Sequence, residues 1–275
     1  MRAFEHIALS DEEFQLFRDY IYNVSGIELT DKKKDMLKAR LNKRISDRGI
    51  SSYYEYFKIV SNNSEETRAL LDAISTNLTF FFRESRHFQF LEERVIPELI
   101  RKDNNSIRIW SAGCSSGEEA YSIAIIFLLN VRNLDRLDIK ILATDISDEI
   151  LQQGQLGQYS ATDLQNIESQ IINRYFEKYY ENDNQKYQIS EEVKRLVKFK
   201  RLNLMQPLFP FKGEFDLIFC RNVMIYFEKI KRERLVNKYY DLLKEGGYLF
   251  IGHSESLIPV NHKFQNIEPT IYKKV

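Results

Sequence analysis

The 275-residue sequence predicts two folding units: an all-α domain over residues 1–80, then an α/β domain over 81–275 built on a doubly wound parallel sheet. Three observations predict this. Residues 10–74 carry apolar side chains at helical spacing and no strand pattern. From residue 105 onward, short apolar runs alternate with helical stretches, as βα units require. A glycine-bearing turn, Gly113-Cys-Ser-Ser-Gly117, joins the first such run to the first such helix.

In the helical part, Ser10-Asp11-Glu12-Glu13 reads as a capping box, with Ser10 as N-cap and Glu13 at N3. Phe14, Phe17, Tyr20 and Ile21 follow on one stripe, and Gly26 stops the helix. Thr30-Asp31 opens a second helix striped by Leu37, Leu41 and Ile45 and ended by Gly49. Ser51 to Val60 and Ser64 to Ile74 supply two more. In the α/β part the predicted strands are Ile107–Ser111, Ile139–Asp145, Val197–Asn203, Phe215–Arg221 and Tyr248–Gly252. Helices are expected from Glu118 to Asn130, after the cap Ser147-Asp148-Glu149, and from about Glu228 to Leu243. Residues 157–196 exceed what one crossover needs, and Tyr187-Gln-Ile-Ser190 beside Asn182-Asp-Asn184 predicts a small antiparallel β insertion there.

Composition narrows the function classes. Lys plus Arg equals Asp plus Glu at 40 each, which argues against a general nucleic-acid binder. Four His and two Cys, Cys114 and Cys220, are too few and too scattered along the sequence for a metal constellation, so no metal is expected. The two Cys make no disulfide framework. The opening Met-Arg-Ala-Phe-Glu-His has no apolar leader pattern, and no run approaches the ~20 apolar residues of a membrane span. A cytoplasmic protein without membrane insertion is expected.

The glycine turn has more than one reading. Glycines between a strand and a helix let a ligand approach the backbone, and the helix start offers free N–H groups. Asp145 ends the next strand, where a carboxylate accepts from both ribose hydroxyls of a nucleoside. The alternative is a tight turn with Asp145 as a helix cap. The same residues fit G-x-S-x-G, with Ser115 as a hydrolase nucleophile and Asp216 and His253 as partners. Against that, the turn follows the first strand of the sheet, and Asp216 starts its strand, at the far end of the sheet. Glu118 and Glu119 at the helix start repel phosphate and suit a cationic, hydroxyl-rich ligand.

Five blocks together resemble the CheR-type chemotaxis receptor methyltransferases: Thr76-Asn-Leu-Thr-Phe-Phe-Phe-Arg-Glu84, Trp110-Ser-Ala-Gly-Cys-Ser-Ser-Gly-Glu-Glu-Ala-Tyr-Ser122, Ala143-Thr-Asp-Ile146, Phe219-Cys-Arg-Asn-Val-Met-Ile-Tyr-Phe227 and Gly252-His-Ser-Glu255. They stand in family order, and the helical start fits too. One departure is Ala120, where the family commonly has Pro. The resemblance implies a Rossmann-like class I S-adenosylmethionine methyltransferase domain. It implies a cofactor site at Asn77, Thr79, Arg83, Glu118 or Glu119, Asp145, Asn203, Leu204, Arg221 and Asn222. It also places Arg83 and Tyr226 near the transferred methyl, with S-adenosylhomocysteine as product.

The reaction implied is methyl esterification of glutamate side chains in the cytoplasmic helical region of methyl-accepting chemotaxis receptors. Such a carboxylate, with a pKa of ~4.3, is already ionised at neutral pH and needs no general base. From Asp31 to Arg48 there are eight Lys or Arg against three Asp. Lys38, Arg40, Lys43, Arg44 and Arg48 are expected on the exposed sides of their helix, either as a steering surface for an acidic receptor helix or as a solvated face. Other classes consistent with parts of the sequence are a binding module without catalysis and a methyltransferase with another substrate.

Overall fold

The computed structural model describes residues 8–101, 105–131 and 137–275. The opening Met-Arg-Ala-Phe-Glu-His, read above as lacking a leader, lies outside the described residues.

Four helices form the first layer: α1 (Asp11–Ser25), α2 (Lys34–Asp47), α3 (Tyr53–Asn62) and α4 (Ser64–Ile74). The capping box at Ser10 is present in both directions, with Ser10 Oγ accepting from Glu13 N at 3.1 Å and Ser10 N donating to Glu13 Oε2 at 3.0 Å. Gly26 closes α1 in the left-handed conformation. Thr30 starts a 3₁₀ turn, Asp31–Lys33, rather than α2 itself, and its side chain makes no cap bond. The predicted stripes Phe14, Phe17, Ile21 and Leu37, Leu41, Ile45 are buried in one core. Phe17 lies at its centre against Tyr53, Tyr56 and Phe57.

The second unit carries a seven-stranded sheet. Its strands, in chain order, are β1 (Ser106–Ala112), β2 (Asp138–Asp145), β6 (Val197–Arg201), β7 (Phe215–Cys220), β8 (Leu243–Ile251), β9 (Gln265–Glu268) and β10 (Ile271–Lys273). The spatial order is β6-β2-β1-β7-β8-β10-β9. The first five are parallel, as expected, while β10 and β9 extend the sheet antiparallel. The five predicted strands form the parallel part, and β9 with β10 makes the whole sheet mixed. Gly246 and Gly247 fall inside β8, at a register shift against β7.

Helices α7 (Glu118–Asn130), α8 (Asp148–Leu156) and α11 (Lys229–Leu242) cover the sheet. So do α5 (Ser85–Phe90) and α6 (Ile96–Arg101), joined by a π turn at Leu91–Val95. The short α9 (Ser169–Tyr175) and α10 (Glu191–Lys194) lie between β2 and β6 in the chain. Trp110, fully buried, anchors one face among Phe209, Phe215 and Tyr239 and donates Nε1–H to Thr144 Oγ1 at 2.8 Å. The insertion is a separate three-stranded antiparallel sheet of β3 (Gln158–Ser160), β4 (Phe176–Glu181) and β5 (Asn184–Ile189), order β3-β5-β4. Asn182 and Asp183 make its hairpin turn with positive φ, as Asn and Asp tolerate. No helix among the described residues is long and apolar enough to cross a membrane.

Three of the expected steering charges are not free. Arg40 donates to the carbonyls of Ala73 and Ser75 at 3.1 and 2.8 Å, satisfying the end of α4. Arg44 and Arg48 both pair with the buried Glu66, whose Oε1 also accepts from Tyr56 Oη at 2.7 Å. Lys38 and Lys43 make no such ion pair among the described residues.

Candidate active site

At the carboxyl edge of the sheet lies a cleft with about 1130 Å³ of space not filled by atoms, counting the open solvent at its mouth. The helical layer, the linker 75–83, the glycine turn and the loops after β2, β6 and β7 all contribute to its walls. The helical layer is held there by Glu28 N donating to Tyr226 O at 2.9 Å and by Asn203 Nδ2 donating to Val24 O at 2.7 Å.

The glycine turn is tied down at both ends. Gly113 N and Cys114 N donate to Thr144 O at 2.7 and 2.9 Å. Gly113 has φ of 88°, and a Cβ there would stand 2.3 Å from Val223 Cγ2. Only glycine allows that turn and the loop after β7 to meet. Ser115 N donates to Asp145 Oδ2 at 3.0 Å, and Ser147 N to Asp145 Oδ1 at 3.1 Å. Asp145 therefore braces the turn and the start of α8 while facing the cleft. The capping role and a ligand role are compatible, because a carboxylate has about four lone-pair sites. Burial pushes its carboxyl up, and the backbone N–H bonds offset only part of that.

Of the residues implied by resemblance, Asn77, Thr79, Arg83, Glu119, Asp145, Asn203, Leu204, Arg221, Asn222 and Tyr226 all line the cleft. Glu118 does not. Successive helical residues point about 100° apart, and Glu118 turns inward, where its carboxylate accepts from Ser116 Oγ at 2.7 and 2.9 Å. Burial pushes it up to about 7. Glu119 Oε1 accepts from Ser111 Oγ at 2.6 Å and Oε2 from Arg221 Nη1 at 3.2 Å. Burial raises its carboxyl as well, against the pull of Arg221.

Arg221 is buried and fully engaged. It donates to Glu119, to Glu84 Oε2 at 3.0 Å and to the carbonyl of Arg83. It is a brace under the cleft more than a free ligand arm. Asn222, held at φ 59°, donates Nδ2–H to Glu84 Oε1 at 3.1 Å. Arg83 donates to Leu78 O at 2.8 Å and lies over the Phe80 ring at 5.6 Å. Tyr226 is half-buried, with Lys33 Nζ 5.0 Å from its ring centre. Asn203 donates one Nδ2–H to Val24 O and accepts at Oδ1 from Met205 N, which fixes its amide at the cleft wall.

Two residues stand out that sequence patterning does not single out. Glu84, also left-handed at φ 59°, joins Arg221, Asn222 and the backbone N of His253. Burial pushes its carboxyl up, but Arg221 and Asn222 outweigh that and the net shift is downward. Glu255 accepts backbone N–H groups from Gly252, Asn222, Val223, Met224 and Ile225, shaping the loop that carries Tyr226. Both lie within the blocks quoted above, but neither has a local periodic signal.

The hydrolase reading fails on geometry. Ser115 Oγ donates to Asn77 O at 3.0 Å, and Asp216 is held by Arg108 N and Lys244 at the other end of the sheet. His253 packs against His87 instead. Cys114 and Cys220 are buried free thiols, pushed up by burial. The donor set suits S-adenosylmethionine: Asp145 and Glu119 provide anionic acceptors, and Ile146, Leu202, Leu204 and Phe227 provide an apolar wall.

Comparison with known proteins agrees. Residues 12–75 match the family described as CheR methyltransferase, all-alpha domain, and residues 77–273 match CheR methyltransferase, SAM binding domain. The chain is 41% identical to the chemotaxis protein methyltransferase of Borreliella burgdorferi, covering 98% of this chain and 96% of that one. It is 36% identical to the Salmonella typhimurium protein of the same name and 35% to that of Escherichia coli, each over 98% of this chain and 92% of the relative. With both domain matches in order and relatives matched nearly end to end, the chain belongs to the CheR methyltransferase family and is an S-adenosylmethionine-dependent methyltransferase.

Proposed function

We propose that the cleft binds S-adenosylmethionine and directs its methyl group to glutamate carboxylates in the cytoplasmic helical region of chemotaxis receptors. The observation that carries this is the convergence of Asp145, Glu119, Arg83 and Tyr226 on one cleft at the carboxyl edge of the sheet. When bound, S-adenosylmethionine supplies an electrophilic sulfonium methyl.

The chain's own residues bind, orient and exclude water. Asp145 accepts the ribose hydroxyls, Glu119 faces the cationic end, and Leu204 forms part of the adenine wall. Asn77 and Thr79 close the site from the linker. Arg83 and Tyr226 orient the incoming carboxylate. Opposite charges meet and partly cancel in the transition state, so water favours the reactants; a site with fixed dipoles works by alignment and preorganisation. Arg83 is shared with Leu78 O, which keeps its grip on the nucleophile loose. The helical residues 1–80 act as the docking domain, and Lys32, Lys38 and Lys43 on it make no ion pair among the described residues. The work is done in the cytoplasm, without membrane insertion.

The test is incubation with tritiated S-adenosylmethionine and receptor cytoplasmic fragments. Base-labile methanol release is expected from fragments with glutamates and not from Glu→Ala fragments. Label that resists base removes the ester reading.

A further inference from the structure

Among the described residues, one group of metal-ligating side chains adjoins the cleft without serving cofactor or substrate: Glu84, His87 and His253, whose donor atoms all lie within 4.8 Å of one another. Its protonation pattern follows from hydrogen bonds. Thr270 donates its hydroxyl proton to Pro269 O at 2.6 Å, so its Oγ1 accepts from His87 Nε2 at 2.7 Å. The His87 proton therefore sits on Nε2, and Nδ1 presents a lone pair. That Nδ1 belongs to a fully buried side chain and has no hydrogen-bond partner. It stands 3.5 Å from Glu84 Oε2, which is also an acceptor. In that tautomer two acceptors, one on the buried His87 ring and one on the part-buried Glu84 carboxylate, face each other with no proton between them.

The exposed His253 ring covers the open side, 5.1 Å from the His87 ring and nearly perpendicular to it. Two ligands on a tetrahedral ion at 2.0–2.1 Å stand about 3.4 Å apart, close to the 3.5 Å between His87 Nδ1 and Glu84 Oε2. We propose that Glu84, His87 and His253 form a regulatory site for a divalent first-row transition ion, two imidazoles and a carboxylate with a fourth position open to solvent. That donor set suits Zn²⁺ and Co²⁺ rather than Mg²⁺ or Ca²⁺.

Occupation has a consequence at the cleft. The same Glu84 Oε2 that faces His87 accepts from Arg221 Nη2 at 3.0 Å, and Oε1 accepts from Asn222 at 3.1 Å. An ion drawing on Glu84 competes with Arg221 and loosens Arg221 and Asn222 beneath the cofactor. The positive Arg221 in turn keeps the ion's affinity moderate, which suits an ion that comes and goes. The site stands on its own geometry; only its inhibitory effect rests on the cofactor reading.

The experiment uses the full chain after chelator treatment. Calorimetric titration with Zn²⁺ is expected to give one ion per chain, and Co²⁺ to give visible absorption of a four-coordinate ion. The exposed His253 allows a clean variant: His253→Ala should weaken Zn²⁺ at least tenfold. Saturating Zn²⁺ should weaken S-adenosylhomocysteine several-fold in the parent and not in His253→Ala at the same zinc. No stoichiometric ion, or equal zinc affinity in His253→Ala, overturns the site. Zinc held through His253 with unchanged S-adenosylhomocysteine affinity overturns the regulatory role. Failure of the chelator-treated parent to bind S-adenosylhomocysteine overturns the cofactor reading instead, and the zinc arms still decide the site.

Discussion

Arg221 and Glu84, 137 residues apart, form an ion pair of 3.0 Å in which the side chains are only 2% and 10% exposed. Arg221 also holds Glu119, so one guanidinium is shared between two carboxylates beneath the cleft. A charge cluster this dry is held only because every partner is present.

Arg221→Leu should therefore destabilise the fold by about 3–5 kcal/mol, since it leaves two carboxylates without a counter-charge. Urea unfolding measures it. A loss under about 1 kcal/mol, the range of an exposed pair, would mean the cluster does not organise the loop.

Asp145 and Ser147 both brace the start of α8, but only Asp145 of the two faces the cleft. Asp145→Ala should weaken S-adenosylhomocysteine by ~1.5–3 kcal/mol, the worth of hydrogen bonds to a charged acceptor. Ser147 Oγ accepts from Ile150 N to cap α8. Ser147→Ala should cost about 1 kcal/mol of stability and little affinity. Calorimetry and unfolding on both variants check this, and unchanged affinity in Asp145→Ala would remove it from the site.

Tyr226→Phe and Arg83→Ala should lower kcat for methyl transfer more than they lower cofactor affinity, because the proposed partner is the incoming carboxylate. Steady-state kinetics alongside calorimetry would show it. Wild-type turnover in Tyr226→Phe would assign its hydroxyl to packing.

Glu118 gives the fold a pH dependence. Its carboxyl is pushed from 4.5 to about 7 by burial, so the native chain holds a proton that the unfolded chain releases. Its stabilising contribution is complete below pH 4.5 and is lost as pH rises toward about 7, by ~3 kcal/mol. Glu118→Gln should remove this loss and gain stability relative to the parent between pH 5 and 7.5. A stability difference that stays flat across that range would show Glu118 ionised in the native state.

For docking, Lys32→Glu, Lys38→Glu and Lys43→Glu together should raise KM for receptor and flatten its salt dependence, since screening acts over ~8 Å at physiological strength. Arg44→Ala should instead cost stability, because it strips one cation from the buried Glu66. Receptor kinetics at two salt concentrations test the first; equal salt slopes would make the lysines a solvated face.

Local pattern along the chain was enough to place the main helices and the five parallel strands. The α1 capping box, the Leu37-Leu41-Ile45 stripe, the five parallel strands and the turn ending at Gly117 each depend on residues within one element, where periods of 3.6 and 2 reveal the buried face. The hairpin β9 and β10 escaped, because β9 is a mostly exposed edge strand with no apolar run to mark it. Side-chain partners instead come from the packing of one element on another. Whether Glu118 or Glu119 faces the cleft turns on how α7 is rotated against the sheet. Arg44 and Arg48 read as free charges until α4 brings Glu66 beside them. The four His look scattered along the chain, yet α5 and the loop after β8 set His87 and His253 ring to ring. Such pairings are fixed by long-range packing of whole elements, and local pattern carries no information about them.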